Sequence, residues 1–300
     1  MDINEQKKHK RNVVMADIGL FFVALFWGGG FVAGKFALEA MEPLNITAYR
    51  YAGAAVVMVF FCLRKFKLTS KKMILCASFI GFLMFAGNTL QTIGLQYTTP
   101  GKQSFIISLY TVLVPLLSWM ILKVRPSKKI IIAAFIALLG ISLLTLTDDL
   151  TIGFGDFLTF IFAVTFSLQV VFIGIFMRDM DPTMFTFFEV ASAAVFSVIA
   201  ALIFESPQHV HTLPLAPMLG LLYLVFFNTV FAFLLQNLCQ RFAPANHTAI
   251  ILSTETVFGT FFAVTLANEV FTSRMIAGCV LMFVAIGIAE FPARKKKGFA

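Results

Sequence analysis

Glu255 has the clearest chemical consequence of any residue in this chain. It lies near the middle of residues 246–268, NHTAIILSTETVFGTFFAVTLAN, a stretch long and apolar enough to cross a bilayer, with Ser253, Thr254, Thr256, Gly259 and Thr260 close by. A charge at that depth costs about 2.5 kcal/mol or more. Such a residue either pairs with another polar group inside a helical bundle or faces a watery cavity, and both arrangements are typical of solute pathways. The chemistry on offer is that of a proton-exchanging carboxylate or of a partner for a substrate amine. A structural hydrogen bond to a neighbouring helix is the bland account, and the sequence leaves both open.

Two further charges sit inside apolar runs, Arg50 and Glu189. They occupy matching positions in an internal repeat described below, so they are candidates for a bridge that forms and breaks between two halves, for a static pair, or for side chains that snorkel to the membrane surface. Trp27, Asn88, Gln91, Gln169, Asn228 and Gln236 are polar or amphipathic groups within apolar runs, and Tyr110 is the repeat mate of Glu255. As a set they would line a neutral, hydrogen-bonding cavity with aromatic walls, suited to an amino acid or a small aromatic metabolite. Singly, each is equally an interhelical hydrogen bond worth about 0.6 kcal/mol. Pro115 should kink its helix and is a candidate gating hinge. Asp17 and Asp156 read as helix N-terminal carboxylates. His209 and His211 lack further ligands at suitable spacing apart from Glu205, so no metal site is expected, and no cofactor motif is present. The four cysteines stand singly and read as small buried hydrophobes.

The elements that must position these groups follow from composition. Apolar residues make up 59% of the 300 residues and charged ones 13%, with mean hydropathy +0.91, whereas soluble domains run near 25% charged. The chain is therefore read as an integral membrane protein with short loops and no room for a soluble catalytic domain. Apolar runs bounded by charge, Pro or Gly predict ten spans, at about 14–34, 46–63, 73–95, 103–122, 130–146, 156–177, 183–204, 215–238, 246–268 and 274–291. The alternation of a membrane barrel is missing, so the spans are helices. The basic start is read as preceding an uncleaved first span.

Lys and Arg cluster before the first span, after the second and fourth, and at 294–297, all on one side of a ten-span chain. The positive-inside rule then places both termini in the cytoplasm, and the net charge of +8 reports topology and contact with anionic lipid instead of nucleic acid. The chain also repeats itself. Asp17, Phe21, Ala24, Met41, Pro43, Thr47 and Ala54 recur about 139 residues later as Asp156, Phe160, Ala163, Met180, Pro182, Thr186 and Ala193. Further on, Gln91, Ser108, Thr111 and Ile141 recur at an offset of about 145 as Gln236, Ser253, Thr256 and Ile286, the extra residues falling in the loop 205–214. This divides the chain into residues 1–146 and 147–300. Five spans is an odd number, so the second half is expected upside down relative to the first, as in many transporters.

Trp27-Gly28, Phe31, Lys35, Pro43, Arg50 and Ala54, with Ser253 and Glu255 in the ninth span and Glu269 after it, form a pattern that resembles the EamA family of the drug/metabolite transporter superfamily. The resemblance implies an all-α integral membrane bundle of two inverted five-helix repeats around a central cavity, moving small metabolites, often outward. The aromatic-rich segment 157–166 departs from the small or polar residues common there. No nucleotide-binding GxxxxGK[ST] loop occurs, so proton coupling or exchange is the economical assumption. The expectation is a secondary transporter of a small-molecule substrate, acting as monomer or homodimer. Uptake of a vitamin or nucleobase, a membrane enzyme and a channel are the alternatives. The four histidines do not converge on acids or a nucleophile, and no filter-like segment repeats.

Overall fold

A computed structural model of the protein describes residues 3–98, 100–123, 125–145, 153–267 and 273–290. Asp148, Asp149, Glu269, the basic run 294–297 and the boundary expected at residues 146 and 147 lie outside the described residues. No strand occurs among the described residues. The helices are α1 (Ile3–Leu38), α2 (Pro43–Cys62), α3 (Lys71–Leu95), α4 (Pro100–Ser108), α5 (Tyr110–Leu122), α6 (Lys128–Thr145), α7 (Phe154–Phe176), α8 (Pro182–Phe204), α9 (Leu215–Val225), α10 (Ala232–Gln240), α11 (Ala245–Leu252), α12 (Glu255–Ala267) and α13 (Ser273–Glu290).

Seven helical segments among the described residues are long and apolar enough to cross a membrane, against the ten spans expected. Two others, Ile106–Leu122 and Ile276–Ala289, are apolar but shorter. The expected fourth span is divided between α4 and α5, and α6 opens on Lys128 and Lys129. Helix starts follow local chemistry. Ser70 accepts from Met73 N at 3.1 Å to cap α3, and Asp181 accepts from Met184 N at 3.0 Å ahead of Pro182 in α8. Asp156 accepts from Gly153 N at 2.8 Å at the start of α7, as expected of a helix-terminal carboxylate. Asp17 does not cap: α1 begins well before it, and its carboxylate instead lies 2.9 Å from His247 Nε2.

Helices matched by the sequence repeat pack on each other, α2 on α8 and α6 on α13. Likewise α3 packs on α7, and its mate, the α9–α10 segment, packs on α1. The α2–α8 pair is tied at both ends. At one end Glu205, just past α8, accepts from Leu44 N (2.8 Å), Asn45 N (2.7 Å) and Asn45 Nδ2 (2.9 Å) at the start of α2. Tyr49 there donates its hydroxyl to the Gln208 carbonyl. At the other end Lys65, just past α2, reaches Asp181 (3.3 Å) and Thr183 (2.9 Å) at the start of α8. These two ends, the Pro43 end and the Pro182 end, orient everything that follows.

Candidate functional site

Two interrupted helices build the centre of the bundle. The chain leaves α4 at Ser108, passes Leu109 and resumes at Tyr110, and it leaves α11 at Leu252, passes Ser253 and Thr254 and resumes at Glu255. The two breaks fall at repeat-matched positions. Ser108 Oγ and Thr256 Oγ1 bond across them at 2.7 Å. The expected disruption at Pro115 is thus displaced: α5 continues through this buried proline, and the interruption comes at Leu109. Glu255 is the first residue of α12, where its carboxylate faces the positive end of the helix dipole, which offsets part of the cost of burial. Tyr110, the first residue of α5, lies close enough for its hydroxyl to interact with that carboxylate. Neither Tyr110 Oη nor Glu255 Oε1 is in a well-aligned hydrogen bond among the described residues.

A cavity opens beside Glu255. Trp27 and Gly30 of α1, Arg50 of α2, Asn88 and Gln91 of α3, and Asn228 between α9 and α10 line it together with Glu255, among apolar and aromatic residues that include Phe162 and Phe166. Six residues singled out from sequence, Trp27, Arg50, Asn88, Gln91, Asn228 and Glu255, therefore meet around one space. The segment Phe226–Phe231 is a π-helical turn, a widening often found at functional sites, and it carries Asn228 and Thr229. Trp27 Nε1 donates to the Asn228 carbonyl at 3.1 Å, and Asn228 Nδ2 donates to the Phe26 carbonyl at 3.3 Å. Gly30 leaves the room that Asn228 occupies, since a Cβ there would collide with its side-chain amide. The Trp27 ring meets Phe166 edge-on, with centroids 5.3 Å apart, and Phe166 in turn meets Tyr110 at 4.9 Å.

Arg50 is only 6% exposed, so its charge needs partners. Nε donates to Thr229 Oγ1 at 2.7 Å and Nη1 to Asn88 Oδ1 at 3.4 Å. Glu189 takes different partners, Gln169 Nε2 at 3.3 Å and Asn237 Nδ2 at 2.7 Å. The bridge considered between Arg50 and Glu189 is thus not formed. Although α2 packs on α8, the two charges lie towards opposite ends of that pair, each about two turns past the proline that opens its helix. Glu189, Gln169, Gln236, Tyr110 and Pro115 do not line the cavity.

Sequence reasoning missed Thr229, which holds Arg50, and Gln103, which lines the cavity and donates to the Gln91 carbonyl at 2.8 Å. The adjacent polar pair in FFNTVF was the signal for Thr229. Gln103, at the start of its apolar run, carried none.

The profile of the EamA-like transporter family matches this chain twice, over residues 14–146 and 153–290. An uncharacterized transporter of Archaeoglobus fulgidus is 32% identical over 275 residues, covering 92% of this chain and 85% of that protein. The uncharacterized transporter YyaM of Bacillus subtilis is 25% identical, covering 93% and 96% of the two chains. A solved structure titled only as a crystal structure of a protein superposes with TM-score 0.77 at 18% identity, over 92% of this chain and 96% of that one, a likeness of fold. With two family matches spanning nearly its whole length, this multi-pass membrane protein belongs to the EamA-like transporter family.

Proposed function

We propose that the protein is a secondary transporter that carries a small zwitterionic metabolite, an amino acid or close relative, across the cytoplasmic membrane by alternating access. The observation that carries this reading is one cavity lined by a nearly dehydrated arginine and a nearly dehydrated glutamate, Arg50 and Glu255. Arg50 presents a fork that suits a carboxylate, and Glu255 is an acceptor that suits an ammonium. Trp27, Phe162 and Phe166 supply a wall for an apolar or aromatic side chain. The framework in this reading is ten helices in two inverted five-helix repeats, residues 1–146 and 147–300. The pairing of repeat-matched helices and the matched interruptions before Tyr110 and Glu255 support it. Both termini are cytoplasmic, transport runs outward, and coupling is to protons or to exchange, with Glu255 the group that trades a proton or a substrate amine.

Counterflow in proteoliposomes tests this, with a mixed pool of labelled amino acids and small organic solutes read by mass spectrometry. The expected result is saturable exchange of zwitterions, lowered about 100-fold in Glu255→Gln, as for losing a charge-assisted bond. Folded protein that exchanges nothing in the pool overturns the reading. Unaltered exchange and pH dependence in Glu255→Gln remove that residue from the mechanism.

A further inference from the structure

Gly30, Arg50, Gln91, Thr92 and Leu95 all line the cavity towards the Pro43 end. At the repeat offsets their mates are Gln169, Glu189, Gln236, Asn237 and Gln240, and every one of these is buried and polar. Hydrogen bonds join them in two sets. Gln169 and Asn237 donate to the two oxygens of Glu189, and Gln236 Nε2 donates to Gln240 Oε1 at 3.1 Å. Asn237 Nδ2 further reaches Thr186 Oγ1 at 2.8 Å, which directs its carbonyl oxygen elsewhere.

Two side-chain oxygens of these residues are buried without a hydrogen-bond partner among the described residues, Gln236 Oε1 and Asn237 Oδ1. Buried polar groups are nearly always satisfied, and these two oxygens sit on adjacent residues of α10, one of which also holds Glu189. Both amide oxygens can only accept, and the Glu189 carboxylate is an acceptor as well. What they lack is a donor carrying positive charge. No Lys or Arg among the described residues forms an ion pair with Glu189.

We propose that the cluster around Glu189 is a second binding site, for the ammonium group of the cargo, closed in this structure and opening at the Pro182 end. It rests on the inverted-repeat reading above and adds to it a reversal of charge: the site at the Pro43 end is built around an arginine, its counterpart around a glutamate. An ammonium offers three donors and no acceptor, which matches Glu189, Gln236 Oε1 and Asn237 Oδ1 together. A carboxylate arriving first would face the carboxylate of Glu189. In this reading the Pro182 side meets the ammonium through Glu189, and the Pro43 side meets the carboxylate through Arg50.

Charged thiol reagents test this without knowledge of the cargo. In full-length protein with Cys62, Cys76, Cys239 and Cys279 replaced by alanine, Gln236→Cys and Gln91→Cys are labelled in sealed vesicles of known orientation. The probes are membrane-impermeant trimethylammonium and sulfonate methanethiosulfonates. Gln236→Cys is expected to react from the Lys65 side only, faster with the cation, and Glu189→Gln is expected to reduce that preference at least about fivefold. Gln91→Cys reacts from the opposite side, and its preference is unmoved by Glu189→Gln. Thr248→Cys replaces Gln236→Cys if the latter does not fold. Absence of labelling from the Lys65 side, or a cation preference that survives Glu189→Gln, overturns the proposal. Labelling as expected in a protein that exchanges no solute overturns the transport reading and leaves this site standing.

Discussion

The Pro43 end and the Pro182 end of the bundle are built from the same repeated sequence, yet one holds an open cavity and the other a packed polar cluster. The difference lies in the side chains at matched positions. Gly30, Gly34 and Ile46 leave space at the Pro43 end, where Gln169, Ile173 and Phe185 fill it at the other, all buried. Side-chain volume and hydrogen bonding at matched positions thus separate the end that holds the cavity from the end that is filled. Polarity is reversed too. Arg50 is held by a hydroxyl and an amide oxygen, both acceptors, whereas Glu189 is held by two amide N–H donors. Neither side chain is in an ion pair among the described residues, an arrangement costly for stability and, in the proposed function, useful for receiving a charged group.

The largest effect that would sharpen or break this comparison comes from the two charges. Arg50→Ala should lower exchange at least about 100-fold, the scale of losing a charged hydrogen-bond partner in a desolvated site. Arg50→Lys should recover only part, because an ammonium point charge does not reproduce the fork that reaches Thr229 and Asn88 together. Glu189→Gln should leave affinity for cargo presented at the Pro43 face within about twofold, since Glu189 does not line that cavity. Direct binding at each face measures these values. Equal losses from Arg50→Ala and Glu189→Gln at the Pro43 face would abolish the distinction between the two ends.

Much of this site was legible because apolar runs make polar residues conspicuous. Trp27, Arg50, Asn88, Gln91, Asn228 and Glu255 stood out for the cost of burying them, and they line one cavity. Hydropathy marked the apolar runs, seven of which are long enough to cross a membrane among the described residues, but it did not say which helices pack together. The interruptions at Leu109 and at Ser253–Thr254 were not legible, since neither carries a Gly or Pro that would mark a break. Nor was the π-turn at Phe226–Phe231, where Trp27 and Arg50 reach Asn228 and Thr229 from other helices. Asp17 carried the local signature of a cap, and a distant histidine took it instead. These are tertiary choices made between groups about 200 residues apart, beyond any local pattern.

A second comparison concerns how closely helices cross at the centre. A Cβ on Gly28 would lie 2.8 Å from the Glu255 carbonyl oxygen and 2.8 Å from Gly259 N, so α1 meets the backbone of α12 directly. The repeat mate of Gly28 is Ser167, whose hydroxyl bonds within its own helix to the Ala163 carbonyl at 2.6 Å. Putting serine at Gly28 should therefore destabilise the protein by about 1–3 kcal/mol through overpacking. Ser167→Ala should cost about 1 kcal/mol or less. Unfolding in mixed detergent micelles reads both, and a tolerated Gly28→Ser would show that the α1–α12 crossing yields more readily than its geometry indicates.

The smallest effects test the ties between α2 and α8. The Glu205 tie accepts two backbone N–H groups at the start of α2, so Glu205→Ala should cost about 1–2 kcal/mol, as for loss of a helix cap. The Lys65–Asp181 pair has 40% and 23% of its side chains exposed, and Lys65→Ala should cost about 1 kcal/mol or less. On the inverted-repeat reading neither tie is a gate. The Glu205 tie is closed while the cavity at its own end is open, so by the repeat the Lys65 tie should stay closed when the Pro182 end opens. Labelling of Gln236→Cys should accordingly change less than about twofold in Lys65→Ala, because an interaction present in both states cannot shift their balance. A manyfold rise in that labelling would make the Lys65 tie a gate and give the two ends of the α2–α8 pair different jobs.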